Sequence, residues 1–145
     1  MSQAHVEIAR RAMDALNQSD LMVGGGDPLP TLREFCDPDV EWDFSRRAVD
    51  PEIYHGYEGW LRIAEQFGDA WQEFHLEIDE IIDAGENVVL FTNMAGLSKS
   101  GIKLSQSVGQ VWTFRDGKIV RDRYSGEDRA ACLEAAQLTA CAPTS

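Results

Sequence analysis

From Gln3 to Asn17, Val6, Ala9, Met13 and Leu16 recur at helical spacing, with Arg10, Arg11 and Asp14 elsewhere on the surface, which predicts an amphipathic first helix. Gly24-Gly25-Gly26 is too flexible to continue it. Asp27 offers an N-cap and Pro28 suits the first turn of a short second helix with the apolar stripe Leu29, Leu32 and Phe35, stopped at Asp37-Pro38. Val40, Trp42 and Phe44 alternate with Glu41 and Asp43, the pattern of a strand. Ser45 to His55 is expected as a loop. Gly56 to Trp71 carries a wide stripe of Trp60, Ile63, Ala64, Phe67 and Trp71, a third helix that needs a sheet to lie on.

From Gln72 the period becomes two. Phe74, Leu76 and Ile78 alternate with charged residues, and the parity swaps around Asp79 to Ile81, which predicts a bulge. Ala84 to Asn87 is turn material, Val88 to Leu97 a buried strand, Ser98 to Gly101 a turn, and Lys103 to Arg115 a long strand. Asp116-Gly117 makes a hairpin into a last strand, Lys118 to Tyr124. A closing helix is expected over Glu127 to Leu138, and Thr139 to Ser145 should fray. Antiparallel strands in a run, with helices grouped before them, predict an α+β fold. A curved antiparallel sheet wrapped around helices leaves a cone-shaped apolar cavity, the kind of space where small ligands bind. The 145 residues fit one domain, with an ordered core over about residues 3–138.

Composition narrows the partners. The net charge of −12 opposes binding to nucleic acid or an anionic membrane. No stretch approaches the roughly 20 apolar residues of a membrane span, and the first residues lack the apolar run of a signal peptide, so a cytoplasmic location is the default expectation. Cys36, Cys132 and Cys141 are odd in number and far apart, which argues against a disulfide framework or a zinc site. No phosphate loop, dinucleotide fingerprint or nucleophile elbow is present, and no cofactor or metal is expected.

The candidate chemistry turns on the last hairpin. With a two-residue loop at Asp116-Gly117, Arg115 faces Lys118 and Trp112 shares a face with Arg121, giving a cationic pocket. With a three-residue loop and Gly117 in a bulge, Gln110, Trp112, Val120, Asp122 and Tyr124 share a face. The second is favoured, because it leaves Arg121 and Arg123 on the opposite face rather than buried. Asp122 then lies among apolar residues that raise a carboxyl pKa, which suits a general acid or base. Its alternative is a salt bridge with Arg121, Arg123 or Lys118. Tyr124 is either a donor to a substrate oxygen or a core residue with a satisfied hydroxyl. His55, between Tyr54 and Tyr57 ahead of the third helix, is a candidate acid or base at a pocket rim. Trp42, Tyr54, Tyr57, Trp60, Gln110 and Trp112 are the expected ligand-contacting wall.

The segments Asp39-Val40-Glu41-Trp42, Tyr54-His55-Gly56-Tyr57-Glu58-Gly59 and Trp112 to Arg121, in this order of elements, resemble the SnoaL-like family of the nuclear-transport-factor-2-like superfamily. The resemblance runs from about His5 to Leu138. It implies a cystatin-like α+β barrel, often a homodimer packed through the outer sheet face. It also implies a range of functions, among them polyketide cyclases, ketosteroid isomerases and noncatalytic transport factors. The cyclases are similar in placing an aspartate on the final strand. Tyr124 aligns with that aspartate better than Asp122 does, and Gln110 takes the place of its histidine partner. Two functions follow as expectations. One is a cofactor-independent isomerase, cyclase or dehydratase acting on an apolar carbonyl compound such as a polyketide or steroid-like molecule. The other is a noncatalytic binder of a small apolar ligand.

Overall fold

The computed structural model describes residues 2–18, 21–23, 26–46, 51–126 and 129–135. Helix α1, Ser2–Gln18, buries Val6, Ala9 and Met13 as the periodicity predicts. Near its end the Asn17 amide donates to the Leu76 carbonyl at 2.7 Å and accepts from the Leu76 N–H at 3.1 Å. It thereby stands in for a neighbouring strand on the open edge of the sheet. A 3-10 turn, Leu21–Val23, follows and buries Leu21 and Met22. Helix α2, Leu29–Phe35, starts one position later than expected, with Pro28 at the N-cap and the Asp27 carboxylate accepting from the Leu29 N–H at 3.1 Å.

Strand β1, Cys36–Asp43, begins four residues earlier than the alternation suggests. The expected loop after it contains a short strand β2, Ile53–His55, paired antiparallel to β1 with Trp42 opposite Tyr54. Three residues are too few to show an alternation. Helix α3, Gly56–Ala70, starts at a glycine with φ of +69°, where a side chain would be strained and would crowd the Pro38 carbonyl at 3.2 Å. Strands β3 (Trp71–Ala84), β4 (Asn87–Ser98), β5 (Lys103–Arg115) and β6 (Lys118–Gly126) form the meander. Asp79 is the extra residue of a bulge, inside the span where the parity swaps. Helix α4, Arg129–Ala135, closes the described chain. The expected fraying tail lies outside the described residues.

The six strands form one curved, unclosed sheet in the order β2-β1-β6-β5-β4-β3. One pair departs from the expected antiparallel arrangement, since β1 joins β6 in parallel. Helices α1, α2 and α3 pack on one face around a core that includes Met13, Phe35, Val40, Trp60, Ile63, Leu90 and Phe114. On the other face α4 buries Cys132 against Val89 and Val111. Gly109 permits that approach, since a Cβ there would sit 2.8 Å from the Cys132 sulfur. Helix α4 thus occupies part of the outer face through which the homodimer is expected to pack. Among the described residues, no helix is long and apolar enough to cross a membrane.

Candidate functional site

The last hairpin decides what faces the helices. Asp116 and Gly117 both have positive φ, +55° and +78°, and Arg115 pairs with Lys118. This is the two-residue loop, not the favoured three-residue loop with a bulge at Gly117. The expected face survives for another reason. Phe114 pairs with Ile119 and Thr113 with Arg121, so Val120 is an extra residue in β6. That bulge moves the register by one. Trp112 lies opposite Asp122 and Gln110 opposite Tyr124, while the cavity is lined by Ile119 rather than Val120. A cationic pocket does not form. Arg121 lies 3.1 Å from Glu41 and 3.7 Å from Asp43, and the Lys118 ammonium donates to the carbonyls of Arg33 and Glu34 at the end of α2.

Between the sheet and the helices lies a cavity of about 100 Å³. Its wall includes Met13, Leu32, Trp42, Trp60 and Ile63, with Asp122 as its one charged residue among the described residues. A second cavity of about 120 Å³ is lined by Phe67, Phe74, Val108 and Tyr124. Met22, Phe44, Leu76 and Gln110 border both, so Gln110 is the polar group shared between them.

Asp122 is only 5% exposed. Burial pushes its carboxyl up to about 7, and the Asp43 charge on β1 adds to that, while the Gln110 amide and the Trp112 indole hold it down. The Gln110 amide nitrogen donates to both carboxyl oxygens, at 3.1 and 3.2 Å. The Trp112 indole N–H lies beside the same carboxyl and favours its charged form. It makes no close hydrogen bond among the described residues, and neither does the Gln110 amide oxygen. Both side chains are more than nine-tenths buried. Three polar groups therefore converge in an apolar cavity: a titratable carboxyl, an indole donor beside it and the partnerless Gln110 oxygen. Cys36 also lines the cavity, but burial, with the Asp122 charge, pushes its thiol up to about 12. It stays protonated and is no nucleophile.

The expected wall divides. Trp42, Trp60, Gln110 and Trp112 line the first cavity and Tyr124 the second. The Trp42 indole is held by the Gly56 carbonyl at 2.9 Å, which fixes the ring against α3. Tyr54 and Tyr57 line neither cavity. The Tyr54 hydroxyl donates to Gln66 at 3.1 Å and the Tyr57 hydroxyl to the Cys36 carbonyl at 2.9 Å, so the first braces β2 and the second β1 against α3. His55 is exposed where β2 meets α3 and borders neither cavity. The strand pairing with β1 turns Tyr54 inward, and its neighbour outward. Leu21 and Met22 also line the first cavity, and nothing in the sequence marks them, because a single 3-10 turn has no periodicity to detect. The Gln110–Asp122 contact follows only once the bulge at Val120 fixes the register.

The model of the SnoaL-like domain matches residues 9–122. No curated protein sequence matches the chain significantly. Solved structures share the fold. An NTF2-like protein of unknown function from Burkholderia pseudomallei is 20% identical with a TM-score of 0.70, covering 95% of this chain and 98% of its own. TerC, co-crystallised with polyporic acid, is also 20% identical at a TM-score of 0.70, with 92% and 98% covered. A candidate SnoaL-like polyketide cyclase from Jannaschia sp. CCS1 is 18% identical at a TM-score of 0.67, with 84% of each chain covered. At such identities the likeness is one of fold.

Proposed function

Because the chain belongs to the SnoaL-like domain family, we propose that its cavity binds a small apolar carbonyl compound and that Asp122 moves a proton at the carbon beside the carbonyl. The observation that carries this reading is a carboxyl with a pKa of about 7 in the wall of an apolar cavity. Such a group is both acid and base near neutral pH. In the ionised form it takes a proton from the carbon next to the carbonyl, leaving an enolate. The Trp112 N–H, beside the carboxyl but without a close hydrogen bond, would turn to the oxygen on which that charge grows once the carboxyl has taken the proton. Removal of that proton is the step isomerases, cyclases and dehydratases share; protonated Asp122 then gives the proton to a carbon in isomerisation, to the new alkoxide in cyclisation or to the departing hydroxyl in dehydration. That TerC was co-crystallised with polyporic acid and that another neighbour is a candidate polyketide cyclase supports a carbonyl-bearing ligand class.

The test is hydrogen–deuterium exchange at the carbon beside the carbonyl of tetralone, followed by NMR. Protein is expected to accelerate exchange, and Asp122→Asn to lose that acceleration by roughly a hundredfold or more. Equal exchange with both proteins would overturn the proton-transfer role. One observation favours a second reading, a noncatalytic binder: the hydrogen-bond partner of Asp122 is the Gln110 amide, which cannot relay a proton. Tight binding of tetralone without any exchange supports that reading.

A further inference from the structure

We infer that Gln110 reverses its side-chain amide with the charge state of Asp122, so that the cavity accepts a ligand hydroxyl at this position when Asp122 is ionised and a ligand carbonyl or ether oxygen when Asp122 is protonated. This rests on the reading of the cavity as a ligand site, and not on catalysis.

The geometry is specific. One nitrogen of Gln110 bridges both oxygens of Asp122, at 3.1 and 3.2 Å, and both side chains are buried. A carboxylate has only acceptors, so it requires the amide nitrogen. That leaves the Gln110 oxygen turned away, buried and without a partner among the described residues. A buried acceptor without a partner is costly, and a ligand hydroxyl removes that cost. A protonated carboxyl has one donor to give. Its best acceptor is the Gln110 oxygen, reached by rotating the amide half a turn. The amide nitrogen then points along the cavity as a donor, and a hydroxyl is no longer preferred over an ether or carbonyl oxygen.

The surroundings leave the switch to this pair. From β5, Gln110 and the Trp112 N–H face Asp122, and from β1 come Trp42 and the neutral Cys36 thiol, with the Asp43 charge adding to the upward shift. Helices α1, α2 and α3 bring only uncharged side chains to the cavity wall. Arg121 is engaged with Glu41 and Asp43, and Lys118 with the end of α2. The indole of Trp112 stays a donor in both states. The ligand class that satisfies both residues above neutral pH is therefore an apolar molecule with two oxygens, a carbonyl for Trp112 and a hydroxyl for Gln110. Phenolic ketones and enolised dicarbonyl compounds are of this class.

Three probes of one shape test it by calorimetry: tetralone, a tetralone with a hydroxyl on the aromatic ring, and the methyl ether of the latter. At pH 8.5 the hydroxy compound is expected to bind roughly tenfold more tightly than its methyl ether, the loss of one hydrogen bond to a buried group. At pH 5.5 the ratio is expected to fall to about one, as the amide reversal implies. Gln110→Met is expected to bring the ratio to about one at both pH values while tetralone still binds. A ratio that is the same at both pH values in the unaltered protein would overturn the inference. That result beside exchange that still needs Asp122 would leave the proton-transfer reading standing, whereas loss of exchange with a pH-dependent ratio would do the reverse.

Discussion

Asp122 has a pKa of about 7 in the folded protein, against about 4 for a carboxyl in an unfolded chain. Between those values the folded protein holds more protons than the unfolded chain. Its stability contribution is therefore full below about pH 4, falls as pH rises through this window, and levels off above about pH 7. The difference amounts to about 4 kcal/mol at the alkaline end, since each tenfold change in proton affinity is about 1.4 kcal/mol. Asparagine has nearly the same shape, carries no charge and still accepts from Gln110. Asp122→Asn is thus expected to be the more stable protein at pH 8, by as much as about 4 kcal/mol, with the gap closing towards pH 4. Urea unfolding at both pH values measures this. A variant less stable at pH 8 would show that the carboxylate is not held against its solvation. A residue retained at such a cost fits a site where function rather than stability sets the choice.

At the scale of elements, the bulge at Val120 carries the most weight. The strong two-residue turn at Asp116-Gly117 fixes one end of the β5–β6 hairpin. Without an extra residue, that turn would bring Arg121 opposite Trp112. Val120 absorbs the mismatch, so Asp122 takes that place. Deleting Val120 removes the extra residue while leaving Phe114 opposite Ile119 and Thr113 opposite Arg121. The shortened strand is expected to keep Asp122 inward, and carboxyl NMR is expected to show it still titrating near neutrality. A pKa back in the ordinary carboxylate range would mean that the bulge itself shapes the site. The same hairpin marks the limit of what the sequence reveals. Elements with several repeats of a clean period were legible, among them α1, α3 and the Asp79 bulge in β3. The cost of burying Arg121 and Arg123 points to an inward set of Gln110, Trp112, Val120, Asp122 and Tyr124, which the structure keeps except that Ile119 takes the place of Val120. The same reasoning puts the bulge at Gly117, because a glycine is the usual signal, and Val120 gives none. Strand β2 and the turn at Leu21–Val23 are too short to show a period. The hydroxyls of Tyr54 and Tyr57 find partners that only tertiary packing brings near.

For the molecule as a whole, the acidic surface and the acidic site are separate matters. The chain's net charge is −12, and among the described residues most charged side chains are exposed, where water screens them, while the cavity contains a single carboxyl with no counter-ion among the described residues. That carboxyl is sealed by the one parallel contact in the sheet, in which Trp42 of β1 lies opposite Asp122 of β6. The two strands are far apart in the chain, 80 residues between Glu41 and Arg121. The meander of β3 to β6 closes through short turns, whereas the β1–β6 contact must close a long loop and is expected to form late for entropic reasons. In kinetic terms, Asp122 is expected to remain in water past the folding barrier and to be buried on its far side. At pH 8, Asp122→Asn should then leave the refolding rate nearly unchanged and slow unfolding instead. Stopped-flow refolding and unfolding of both proteins would show it, and faster refolding of the variant would place the burial before the barrier. The proton-holding group would thus act as a built-in release, shortening the lifetime of the folded state whenever it is charged and lengthening it whenever it is not.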